Sequence, residues 1–394
     1  MTREELRQLV LSYKNHNTIL QLPTGYGKTR VALEVLNLRY PEEGAVLIVV
    51  PKLVLIDTWR NEINRWFPDN SWDITFTTYA SFPKHSSNSW HMVIFDECHH
   101  ITDRIKASYY KVLYKNTMFL SATIKRETMQ WLNSIYYNKL DTIRLTLKDA
   151  IIDDVLPEPI VYLIPLGLNT SYASETFIRN KKAKNFVEVP YEQRRKYWGR
   201  KDLQVRIKCT PYQYVMMLDE QIEFYKNLYM NNQNSFQKNR WLHLAGERLK
   251  YLSSKKENTI LTILKKLSKK RTITFCADIK QTERLGKNSI NSKSKDSLET
   301  LAKFNNQEIN HITACNMLNE GVNLVNCQIG IWATYNSSSI MIVQKIGRLL
   351  RHDNPIIILP FFRDTREQEI VEKMLENFNE NNIKITGDLN ELRT

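Results

Sequence analysis

The chain has 394 residues, 42% of them hydrophobic and 25% charged, with 56 Lys and Arg against 42 Asp and Glu for a formal net charge of +14. That length exceeds one ordinary core, the balance excludes a disordered chain, and no apolar run reaches the roughly 18 residues of a membrane span. The basic excess favours a polyanionic partner such as nucleic acid, or reflects a lysine-rich proteome.

The opening Met1-Thr2-Arg3-Glu4-Glu5 leads into no signal-peptide core, so an intracellular protein is expected. From about residue 17 to 145, short apolar runs alternate with helical patterns. Thr18–Leu22, Ala45–Val50, His91–Phe95 and Thr117–Leu120 read as buried strands, with a helix over Arg30–Leu38 after the first. Strand alternating with helix predicts a parallel sheet covered on both faces.

The stretch from about 169 to 258 loses that rhythm. It opens on basic, aromatic-bearing segments, Arg179 to Lys184 and Arg194-Arg195-Lys196-Tyr197-Trp198-Gly199-Arg200-Lys201. Cations with rings suit nucleic acid, or equally form a mobile basic loop. Thr210-Pro211-Tyr212-Gln213 then signals a capped helix start, with helices running to about Met230 and from about Phe236 to Ser253. Alternation resumes from about 258, with strands over Thr272–Cys276, His311–Ala314, Ile329–Trp332 and Pro355–Leu359. The strand-like Pro159–Pro165 is placed in this second sheet, which makes 169–258 a mainly helical insertion within the second domain. The division expected is 1–150 and 151–394. The five cysteines (Cys98, Cys209, Cys276, Cys315, Cys327) show no CxxC pair or zinc spacing, so reduced thiols and no structural metal are expected.

Three motifs carry chemistry. The strand ending at Leu22 runs into Pro23-Thr24-Gly25-Tyr26-Gly27-Lys28-Thr29 and a helix. Glycines let backbone N–H groups converge on phosphate oxygens, Lys28 would reach the β- and γ-phosphates, and the Thr29 hydroxyl would ligate Mg2+. The strict pattern wants glycine where Leu22 stands. Next, the strand His91–Phe95 delivers Asp96-Glu97-Cys98-His99 at its carboxyl end, where parallel sheets place ligands. Asp96 suits the metal and Glu97 an attacking water; an exposed acidic turn is the alternative. Last, Gln344, Arg348 and Arg351 fall at helical spacing on one face.

TGYGKT at 24–29, DECH at 96–99 and Ser121-Ala122-Thr123 together resemble the DExH-box helicases of superfamily 2, whose loop lacks the first glycine. Val50-Pro51-Lys52 with Trp59 and Glu62, and Thr77-Thr78-Tyr79, resemble the family's segments on the nucleic-acid backbone. Asn316 to Leu324 resembles its fifth motif, and Gln344 to Arg351 matches its sixth, QxxGRxxR. The likeness spans roughly 17 to 352 apart from the insertion. It is close to the DNA-acting branch that includes bacterial, phage and restriction-linked translocases, and Ser121-Ala122-Thr123 argues against the chromatin remodellers. Gln8 is a weak candidate for adenine sensing, and equally a surface glutamine.

The resemblance implies two RecA-like domains in tandem and an ATP-dependent DNA helicase or translocase. It implies ATP and Mg2+ as cofactors, and DNA, single-stranded or branched, as partner. ATP would be held by Thr24, Gly25, Tyr26, Gly27, Lys28, Thr29, Gly321 and Asn323, with Thr29 and Asp96 on the metal. Glu97, Gln344, Arg348 and Arg351 would be catalytic, and His99, Ser121 and Thr123 would couple the halves, though the Ser/Thr pair could simply cap a helix. Pro51, Lys52, Thr78 and Asn316 would touch nucleic acid. An RNA helicase, a duplex translocase without unwinding, and a non-hydrolysing scaffold are the other readings. A bacterial or phage-infected cytoplasm, with replication, recombination or repair proteins, completes the expectation.

Overall fold

The computed structural model describes residues 1–13, 17–85, 87–137, 139–291, 293–294, 296–315, 324–336 and 345–392. Six strands form the first sheet: β1 (Asn17–Gln21), β2 (Gly44–Val50), β3 (Trp72–Thr78), β4 (Ser89–Asp96), β5 (Leu113–Ser121) and β6 (Leu140–Arg144). Their order is β3-β2-β4-β5-β1-β6, and every pairing is parallel. The apolar runs are continuous because both faces are covered. Along β2, Val46, Ile48 and Val50 join one core and Leu47 and Val49 the other, the alternation a pleated strand imposes. The register sets Gln21 beside Ser121, Asp96 beside Leu120 and Val50 beside Thr78. The carboxyl ends of five strands therefore share one edge.

β7 (Ile160–Leu166) leaves this sheet for another. After it come β8 (Glu175–Arg179), β9 (Asn185–Pro190) and β10 (Leu203–Cys209), a small separate sheet in the order β8-β10-β9. The helices Pro211–Asn232 and Ser235–Lys255 follow. The two helices match the sequence reading; the three strands before them do not appear in it. Thr210 Oγ1 accepts from Gln213 N at 3.2 Å and Gln213 Oε1 accepts from Thr210 N at 2.9 Å. That capping box, with Pro211 opening the helix, is worth about 1 kcal/mol.

The second large sheet adds β11 (Thr272–Phe275), β12 (Ser289–Asn291), β13 (His311–Cys315), β14 (Ile329–Trp332), β15 (Ile356–Phe362) and β16 (Ile383–Ile385). Its order is β12-β13-β11-β14-β15-β7-β16, again all parallel. β7 thus lies between β15 and β16, and the chain from 167 to 271 is an excursion from this sheet. A buried ion pair, Lys256 Nζ to Glu367 Oε1 at 2.6 Å, ties the end of that excursion to the helix Arg366–Leu375. Two RecA-like parallel-sheet domains in tandem are the architecture. All five cysteines are buried and none forms a disulfide. No helix among the described residues is long and apolar enough to cross a membrane.

Candidate functional site

The phosphate-loop sequence folds as its glycines require. Gly25 and Gly27 take φ of 92° and 98°, left-handed conformations that a side chain would strain. Gly27 is the N-cap of the helix Lys28–Arg39 and supplies no side-chain cap, so the first-turn amides remain available to an anion. Leu22 is wholly buried and continues β1's pairing, its N–H donating to the Ser121 carbonyl at 2.9 Å. Lys28 Nζ donates to the Leu22 carbonyl at 3.0 Å, folded over the loop. Tyr26 is buried, its hydroxyl donates to the Met1 carbonyl at 2.5 Å, and burial pushes its phenol up to about 12. Thr24 Oγ1 is buried with no hydrogen-bond partner. An orphaned hydroxyl beside uncapped amides is what a loop awaiting a polar ligand presents.

β4 carries Asp96 to the same edge. Asp96 is buried at 8% exposure, so the pair is not an exposed acidic turn. Trp59 Nε1 donates to Asp96 Oδ2 at 2.9 Å, and the Tyr79 hydroxyl donates to the Asp96 carbonyl oxygen at 2.8 Å. Burial raises the Asp96 carboxyl to about 6, and the charge of Glu97 adds to this. The Trp59 hydrogen bond and the positive charge of Lys28 pull it back. Glu97 takes φ 51°, a strained turn for a non-glycine residue that separates its side chain from the strand direction.

Glu97, His99, Ser121 and Thr123 form one network. His99 Nδ1 lies 3.3 Å from Glu97 Oε2 and 3.1 Å from Ser121 Oγ. Ser121 Oγ donates to the Thr123 carbonyl at 2.6 Å, accepts from Thr123 N at 3.3 Å and sits 3.4 Å from Glu97 Oε2. With the serine proton committed to its shortest contact, Nδ1–H of His99 is the donor toward Glu97. Neither Ser121 nor Thr123 caps the next helix, which begins at Arg126 with Lys125 at its N-cap.

The second sheet meets the first at the phosphate loop. Residues 345–349 are helical, with Lys345 and Arg348 buried. A Cβ on Gly347 would lie 2.7 Å from the Thr24 carbonyl oxygen and 2.9 Å from Thr24 Cβ. Only glycine lets the two backbones approach this closely. Gly347→Ala is expected to cost roughly 1–3 kcal/mol of overpacking and to slow any loop-dependent hydrolysis about tenfold or more. Turnover measured beside a thermal melt checks this, and unchanged turnover would mean the contact is not made in the working protein. Arg351 is exposed and within electrostatic range of Glu62. Gln344, Gly321, Asn323 and Asn316 lie outside the described residues.

Other expected positions are placed differently. Pro51 and Lys52 follow β2, and Thr78 ends β3 beside Val50, so these three share the strand-end edge with Asp96. Trp59, grouped by sequence with the nucleic-acid segment, is instead buried at 1% exposure against Asp96. Gln8 is exposed and donates to Glu4 Oε1 at 2.9 Å, the surface alternative. In the basic segment Tyr191–Tyr197 forms a 3-10 helix, with the Arg194 guanidinium 3.6 Å above the Tyr191 ring. No cluster of His, Cys, Asp and Glu among the described residues could by itself hold a metal.

Residues 2–126 match the family described as Type III restriction enzyme, res subunit, and residues 255–353 match the helicase conserved C-terminal domain. The DNA 3'-5' translocase XPB2 of Sulfurisphaera tokodaii is 24% identical over 361 residues, covering 86% of this chain and 75% of that protein. The solved structure of S. cerevisiae Dbp5 bound to RNA and ADP BeF3 has a TM-score of 0.54 at 13% identity, over 98% of this chain and 88% of that one. A variant of it with the same ligands has a TM-score of 0.58 at 13% identity, over 99% and 90%. At that identity the likeness is one of fold.

Proposed function

We propose that this chain, a superfamily 2 helicase by its two family matches, hydrolyses ATP and uses the cycle to move along DNA or separate its strands. One observation carries the reading. The second domain's helical segment brings the Gly347 backbone against Thr24 of the phosphate loop, with the buried Arg348 next in sequence, at the strand-end edge to which the first sheet also carries Asp96 and Glu97. In this reading residues of both halves would surround one phosphate, and closing the halves becomes part of turnover. The relative named as a DNA 3'-5' translocase favours DNA as the track.

In this reading Thr24, Gly25, Tyr26, Gly27, Lys28 and Thr29 bind the phosphates. Thr29 and Asp96 hold magnesium, a hydroxyl and a carboxylate being the hard oxygen donors it prefers. When bound, magnesium neutralises charge on the β- and γ-phosphates. Glu97 orients and deprotonates the attacking water, and Arg348 and Arg351 stabilise the transferring phosphoryl group. His99, Ser121 and Thr123 link Glu97 to the strand end after β5. Gln344, Gly321, Asn323 and Asn316 keep the roles given by resemblance. Pro51, Lys52 and Thr78 form the nucleic-acid edge. We place the boundary between the halves near residue 150. A bacterial or phage-infected cytoplasm, with replication, recombination or repair proteins, is the setting that fits.

ATP hydrolysis measured alone and with single-stranded, duplex and forked DNA and with RNA tests this. Strong stimulation by a DNA form, abolished in Lys28→Ala, is expected. Stimulation by RNA alone would overturn the substrate, and no hydrolysis by folded protein would leave a binding scaffold in place of a motor. Duplex stimulation without strand displacement would choose translocation over unwinding.

A further inference from the structure

We propose that Trp59 is a positioning residue for Asp96, and that the helix carrying it makes the metal-site carboxylate respond to what the neighbouring strand ends hold. The inference rests on the ATPase reading above.

The helix Val54–Trp66 begins just beyond Lys52, at the carboxyl end of β2. Its start is laid bare to solvent: Leu53 is 68% exposed and Val54 44% exposed, beside an exposed lysine. One turn in, the helix dives. Trp59 is 1% exposed and its only polar atom donates to Asp96 Oδ2 at 2.9 Å. Glu62, three residues on and so on the same face, sits within electrostatic range of Arg351 from the second sheet. One helix thus joins an exposed cationic and apolar surface to the buried carboxylate.

The second strand end reaches the same residue. Thr78 closes β3 beside Val50, and the next residue, Tyr79, donates its hydroxyl to the Asp96 carbonyl oxygen at 2.8 Å. Asp96 is therefore tied at its side chain to the segment after β2 and at its backbone to the segment after β3. Both ties come from buried rings of low conformational freedom, so a shift of either segment displaces the carboxylate. A polyanion gripping Lys52 and the ends of β2 and β3 would act on the metal site through these two side chains. A buried indole N–H needs a partner, and Trp59 gives its N–H to this carboxylate, where loss of the donor leaves a buried charge less satisfied.

Trp59→Phe keeps an aromatic ring, though a smaller one, and removes the donor, so the thermal melt records what the lost volume costs. Hydrolysis is measured against Mg2+ concentration, with and without the DNA form that best stimulates the wild type. DNA affinity without nucleotide and a thermal melt are recorded alongside. The half-saturating Mg2+ is expected to rise, and DNA-stimulated kcat to fall, by about tenfold or more, the scale of one hydrogen bond to a charged group. DNA affinity without nucleotide stays as in the wild type. Tyr79→Phe, which cuts the second tie, is expected to lower the stimulation ratio with a smaller change in Mg2+ dependence, and it keeps the test alive if Trp59→Phe does not fold. Mg2+ dependence and stimulation within twofold of wild type, whatever the change in melting temperature, would reduce Trp59 to a packing residue and overturn the inference while leaving the motor intact. A wild type that hydrolyses no ATP would defeat the motor reading and this inference with it.

Discussion

Replacing Arg348 with alanine is expected to slow DNA-stimulated ATP hydrolysis by about 10³–10⁵, the worth of an arginine brought to a transferring phosphoryl group. Nucleotide affinity should change little, because the phosphate loop that binds the ground state belongs to the other sheet. The physical basis is placement. Arg348 is buried at 6% exposure, one residue after the glycine that touches the Thr24 carbonyl. Its guanidinium is permanently charged and planar, and it enters a site with little water to screen it. Arg348→Lys keeps the charge and much of the packing but loses the fork, so it should rescue stability and leave most of the rate defect. Single-turnover hydrolysis with saturating ATP, beside equilibrium nucleotide binding, reads both effects. A loss below tenfold, in protein that melts like the wild type, would remove Arg348 from the reacting group. Full rescue by lysine would reduce its role to a point charge.

Glu97→Gln is expected to lower hydrolysis by about 10²–10⁴, the range for losing a positioned general base, with ATP binding retained. The substitution is nearly isosteric. Glutamine can still accept from His99 Nδ1, now 3.3 Å from Glu97 Oε2, and can still stand near Ser121 Oγ at 3.4 Å. The strained φ of 51° is as tolerable for glutamine as for glutamate, so the turn after β4 should persist. What disappears is the negative charge, and with it the ability to take a proton from water. One secondary effect runs the other way. The charge of Glu97 helps to raise the Asp96 carboxyl to about 6, so its removal should lower that value and favour the ionised form at neutral pH. Metal-dependent nucleotide binding should therefore hold or strengthen while turnover falls. ATP affinity and kcat measured on one preparation separate the two, and a fall in both together would show that Glu97 holds the site's shape and does not act on water.

Much of the fold was legible in the sequence, and the reason lies in burial. β2, β4 and β5 are covered on both faces, so their apolar runs stand out against polar boundaries. β3 and β6, at the ends of the first sheet, read poorly: Trp72–Thr78 and Leu140–Arg144 mix buried with half-exposed and exposed positions, as edge strands do. The small sheet β8-β10-β9 divides: Asn185–Pro190 breaks its pattern with Phe186 58% exposed, whereas Leu203–Cys209 alternates apolar with polar and buries Val205, Ile207 and Cys209, a period-two signal that the sequence carries and the sequence reading missed.

The candidate site divides along the same line. The phosphate loop, the Asp96-Glu97 pair and the capping box at Thr210 are local: each needs a handful of consecutive residues, and side-chain chemistry with backbone freedom at Gly25 and Gly27 settles them. The Trp59 hydrogen bond to Asp96 joins residues 37 apart in the chain, and Gly347 meets Thr24 from the other sheet altogether. No periodicity announces such contacts. They exist because two sheets pack their strand ends toward each other, and the close approach of backbone to backbone, or of an indole N–H to a carboxylate, is set by where the helices between strands come to rest. The sequence by itself therefore determined which chemical groups this protein brings to the strand ends. Only tertiary packing decided which of those groups touch.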